Sequence, residues 1–145
     1  MSTTAQIPAH LTSAALTSAV ERQPLWRHGV AAAVVASVAT TGFAALASAA
    51  GVSFADGSGT SIPIAGFAQL TLVFSLIGVA IAAVMARKAR RPRATFVRAA
   101  LALTVLSFVP DLTFGFDTGS AATLIALHTL AAAIVVPTLA GRLAR

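Results

Sequence analysis

A single histidine placed inside a long apolar stretch is the residue in this chain best suited to chemistry. His128 lies within the run 119–140 and has no other ionisable side chain near it in sequence. An imidazole at such a place can exchange protons near neutral pH, hydrogen-bond a carbonyl, or bind a metal if other ligands converge. Asp111 is its natural companion. It follows Pro110 and shares a helical face with Ser107 and Thr104 through three- and four-residue steps. Gln69, about one and a half turns inside another apolar run, completes the candidate ligand-binding or proton-transfer set of His128, Asp111, Thr104, Ser107 and Gln69.

Each of these residues also has a purely structural role open to it. His128 would then bond a hydroxyl across a helix interface, Asp111 would be a solvated boundary residue, and the Ser and Thr hydroxyls would bond their own preceding turn. His128 lies about 13 Å along its helix by rise per residue, whereas the position of Asp111 at the end of its run predicts a shallower site. The spacing therefore predicts a bridge through water or a hydroxyl instead of direct contact.

No catalytic constellation is complete. Two candidate ligands and no His pair at four-residue spacing give no metal site, and there is no phosphate loop, dinucleotide glycine pattern or nucleophile motif. No cofactor is implied. With no cysteine, thiol catalysis and disulfides are excluded.

The elements that must position these residues are membrane spans. The 145 residues are 57% hydrophobic and 10% charged, with a mean hydropathy of +0.88, too apolar for a soluble domain of this size. Residues 28–52, 64–86, 95–114 and 119–140 each approach or exceed the ~20 residues needed to cross a bilayer. Ala47-Ser48-Ala49 resembles a cleavage site, but the preceding apolar run is far longer than a signal core and reads as a span. Residues 1–27 form a polar tail in which Ala9–Val20 fits a short interfacial helix and a disordered stretch equally well, and Trp26 stands where an aromatic ring anchors at headgroups.

Charge is sorted along the spans. All ten Lys and Arg lie at one end, and Asp56, Asp111 and Asp117 toward the other. The basic ends belong in the cytoplasm. The expected architecture is an all-α integral membrane four-helix bundle, up-down-up-down, with both termini cytoplasmic, in a bacterial inner membrane. Arg27, Arg87, Lys88, Arg90, Arg91, Arg93, Arg98 and Arg142 are expected to contact anionic lipid headgroups, not nucleic acid, because they form short patches without interleaved aromatics.

Stripes of small and hydroxyl residues should face the bundle interior: Ser37, Thr41, Ala44 and Ser48 on the first span, Thr71, Ser75, Gly78 and Ala82 on the second, and Thr104, Ser107 and Asp111 on the third.

Arg91-Pro92-Arg93 with Thr95-Phe96, Val109-Pro110-Asp111, and His128 followed by Ile134-Val135-Val136-Pro137 resemble an actinobacterial family of small four-helix integral membrane proteins, a domain of unknown function. The resemblance covers about residues 25–143. It implies the same topology and assigns no reaction. The leading functional expectation is a structural or accessory subunit of a membrane or envelope complex, homo-oligomeric or larger, and non-enzymatic. Second is a binding or transport protein for a lipophilic small molecule at His128, and third an enzyme acting on a lipid or isoprenoid.

Overall fold

The computed structural model describes residues 25–144; the interfacial helix expected within residues 9–20 lies outside them. Four helices follow in order: α1 (Leu25–Ala49), α2 (Ile64–Lys88), α3 (Pro92–Thr113) and α4 (Thr118–Ala140). Each is long and apolar enough to cross a membrane, and together they form an all-α four-helix membrane bundle.

Local chemistry sets the helix ends. Pro92 opens α3 at its first turn, where its missing N–H has no intrahelical partner to lose. Gly51, at φ +98, terminates α1. The Gly51 amide donates to Ser48 O and the Val52 amide to Ala47 O, the paired bonds of a Schellman stop. Asp117 caps α4 by accepting from the amides of Gly119 and Ser120, which offsets two of the unpaired donors at the helix start.

Around the bundle α1 packs on α2 and α4, and α3 packs on α4 and less extensively on α2. The buried face of α1 consists only of small residues: Gly29, Ala32, Ala33, Ala36, Ser37, Thr40 and Ala44. This lets its backbone approach both neighbours closely. A methyl at Gly29 would stand 2.6 Å from a Val79 methyl and 3.2 Å from one of Leu139.

The inward stripe of α1 is rotated from the one expected. Thr40, not Thr41, is fully buried and meets the Thr71 hydroxyl at 3.0 Å, while Ser48 is exposed. Small residues populate every side of this Ala-rich helix, so composition alone does not distinguish neighbouring rotations. Ser37 also crosses to α2, donating to Ala68 O.

Two apolar clusters fill the bundle. At the basic end Val79, Ala82, Phe96, Val135, Leu139 and Leu143 pack together, and at the acidic end Phe54 joins Ala44, Phe67, Leu124 and Leu127.

A buried carboxylate and histidine between two helices

α3 and α4 run antiparallel, with the Arg93 amide donating to Ala144 O at the basic end. From that end α3 rises for 22 residues and stops at Thr113. The side chain of Asp111, two residues earlier, meets His128, which lies ten residues beyond the start of α4. Ten residues are about 15 Å of rise, and helical side chains lean toward their own N-termini. The pair therefore sits on the order of 10 Å below the first residue of α4. α3 ends well inside the layer that α4 spans.

Residues 114–117 climb back along α4, turning at Gly115 with φ +77. The α1–α2 connection closes on the segment that follows α3 and on the start of α4. Its Gly57 amide donates to Phe114 O at 2.9 Å, and the Phe54 amide donates to Ser120 Oγ at 3.1 Å. Phe54 is fully buried against the Phe67 ring and adopts φ +52, a left-handed conformation that is uncommon for a bulky residue and persists where surrounding contacts enforce it.

His128 Nδ1 is 3.0 Å from Asp111 Oδ2 and 3.0 Å from Leu124 O. Contact between the two side chains is direct, which corrects the bridged arrangement expected from the sequence. The physical reason is the depth of the α3 terminus, which lowers Asp111 to the level of His128. One ring N–H cannot point at both oxygens. A proton on Nδ1 lies in the ring plane toward Leu124 O, which leaves Asp111 Oδ2 buried at ion-pair distance without a directed hydrogen bond. The Asp111 side chain is 7% exposed and that of His128 is 40% exposed, so the imidazole forms the accessible edge of the pair. Phe108 approaches the ring edge-on, with centroids 6.4 Å apart.

The other candidate residues stand differently. Thr104 donates to Ala100 O and Ser107 to Thr104 O, so both hydroxyls are engaged with their own helix. Gln69 is exposed on α2 beside Leu70, and no hydrogen bond joins it to the pair. Arg27, Arg87, Lys88, Arg90, Arg91, Arg93, Arg98 and Arg142 are all exposed. Among the described residues no group of three His, Cys, Asp or Glu side chains converges as metal ligands.

Ser120 and Phe54 belong to the surroundings of the site and are not evident from the sequence. Ser120 is fully buried, and donates to Asp117 Oδ2 while accepting from Phe54. The Ser120 hydroxyl bond and the backbone amides of Ser120 and Gly119 hold the Asp117 carboxyl below its ordinary range. Asp56 is likewise held low, first by the Ser58 hydroxyl and then by the Thr60 amide.

A shallow groove of about 300 Å³ is lined by Ile77, Ile81 and Val84 on α2, and another of about 280 Å³ by Ser37, Thr41 and Ala68 between α1 and α2. His128 lines neither.

Searches of curated proteins and of solved structures returned no match to the chain. A family of unknown function, DUF6069, matches residues 20–145. This four-helix membrane protein therefore belongs to the DUF6069 family.

Proposed function

We propose that this protein is a structural subunit of a membrane complex and joins a second copy of itself through the outer face of α4. One contrast carries the reading. Large exposed apolar side chains come from α1, α2 and α3, including Val38, Phe74 and Leu106, and none comes from α4. Beyond its first turn the exposed positions of α4 are Ala122, Ala126, Thr129, Ala133 and Pro137.

Lipid tails fill space around bulky side chains as well as around small ones, so hydrophobicity does not bring helices together in a bilayer. Close backbone contact does, and small residues permit it. Two copies inserted in the same direction meet about an axis along the membrane normal, which sets Ala126 opposite Ala126 and Ala133 opposite Ala133. The face carries no charged side chain between Ala122 and Pro137 to oppose this.

The same reading includes an up-down-up-down topology with the basic end and both termini in the cytoplasm of an inner membrane. The sorting of cations supports this orientation. The exposed arginines at that end are suited to anionic headgroups.

The absence of native cysteine makes the test direct. Single substitutions Ala126→Cys and Ala133→Cys in the full chain, oxidised in native membranes, should give disulfide-linked dimers, whereas Leu103→Cys on the bulky face of α3 should not. Equal cross-linking at all three positions, or none at the α4 positions, would refute the assignment.

A further inference from the structure

We propose that Asp111 and His128 together form a site that binds one proton inside the membrane and exchanges it with water at the acidic end of the bundle. This goes beyond the structural role and does not depend on α4 dimerisation.

The site has the composition that single-proton binding requires. A carboxylate that is 7% exposed and lacks a directed hydrogen bond stands 3.0 Å from an imidazole nitrogen. With one proton between them the pair is neutral overall, either as acid and neutral ring or as carboxylate and imidazolium. Loss of that proton to water leaves one uncompensated negative charge in an apolar layer, which is costly. Gain of a second leaves one positive charge.

No other titratable group faces the pair from the packed elements. α1 has none from Gly29 to Ala49, and α2 none from Ile64 to Ala86. On α3 the remaining charges, Arg93 and Arg98, are at the basic end, and α4 has only His128. Asp56 and Asp117 lie in the connections at the acidic end.

Direction follows from the two halves of the interior. Toward the basic end the Thr104 and Ser107 hydroxyls below Asp111 are engaged with their own helix, and beyond them Val79, Ala82, Phe96, Val135, Leu139 and Leu143 form an apolar cluster. Toward the acidic end, polar groups descend one side of α4. Asp117 bonds Ser120, and one turn below Ser120 the Leu124 carbonyl meets the ring of His128. Ser120, Leu124 and His128 are spaced by four residues and share a face. Phe54, buried and tied to Ser120 through its amide, packs over the acidic-end part of this route at Ser120 and Leu124.

The full chain reconstituted in phosphatidylcholine vesicles provides the test. Infrared spectroscopy reads a protonated carboxyl, and imidazole nitrogen NMR reads a doubly protonated ring. At neutral pH one of these signals should be present, be lost in D111N or H128Q respectively, and disappear on moving to alkaline pH. Removal of either residue should shift the titration of the other, while D56N and D117N should leave the pair's signal in place. Finding the carboxylate ionised beside a neutral ring at neutral pH, or independent titration of the two groups, overturns the shared proton. For the route, Phe54→Ala and the milder Ser120→Ala should speed deuterium exchange of the signal several-fold, with V135S without effect. Acceleration by V135S alone overturns entry from the acidic end. The amide infrared band verifies that each variant retains its helices.

Discussion

Asp111 and His128 touch at 3.0 Å although one is two residues from the end of its helix and the other ten residues into the next. Removing only the imidazole leaves the Asp111 carboxyl buried beside apolar atoms. His128→Leu should therefore lower stability by about 1–3 kcal/mol, the range for an unsatisfied buried polar group. The double variant D111L/H128L should recover much of that loss, since replacing both members of a buried pair by apolar groups is often neutral. Thermal unfolding in mild detergent distinguishes the two, and a double variant no better than H128L would contradict this account.

Gly29 supplies the closest approach of α1 to its neighbours. A Cβ there would overlap Val79 methyls at 2.6 and 2.8 Å, so Gly29→Ala should destabilise by about 1–3 kcal/mol through overpacking. Gly42 on the same helix faces open space. Gly42→Ala should be neutral or stabilising by up to ~1 kcal/mol from helix propensity. Parallel melting curves of the two variants provide the comparison.

Gly115 combines a positive φ of +77 with a backbone contact, since an added Cβ would stand 2.9 Å from Gly57 Cα. Neither neighbour is a flexible side chain that can move aside. Gly115→Ala should loosen the connection between α3 and α4, and hydrogen exchange of the Gly57 amide, now bonded to Phe114 O, should accelerate.

Asp117 gives the acidic end a pH dependence of definite sign. Its folded carboxyl is held below the ordinary aspartate range, chiefly by the Ser120 hydroxyl. Its contribution is therefore fully present above the unfolded carboxyl pKa and is lost as pH falls through the depressed folded value. Protection of the first α4 amides should fall in that acid range in the native chain. In D117A protection should already be reduced at neutral pH, and the acid-dependent loss should be smaller.

Much of the architecture was legible in the chain. Apolar length located all four helices, with ends within a few residues of those observed, because a bilayer-spanning segment needs about twenty apolar residues whatever its neighbours are. His128 and Asp111 stood out because ionisable groups are scarce in such segments. Helix rotation was less visible on α1, where alanine, serine and threonine occur on all sides and the difference between Thr40 and Thr41 is one residue of phase. Gln69 had a polar type at a plausible depth, yet its exposure depends on the rotation of α2.

The sequence by itself determined that the chain has four segments long and apolar enough to cross a membrane, roughly where each lies, and how its charges are sorted, since these follow from local transfer free energy and backbone chemistry. The tertiary structure decided that α3 stops short, that Gly57 closes on Phe114 and Gly115 beyond its end, and that Asp111 meets His128 directly. Depth in the bundle is measured against neighbouring helices. Only the α3–α4 register, joined by the climbing segment 114–117, brings the carboxylate and the imidazole to one level.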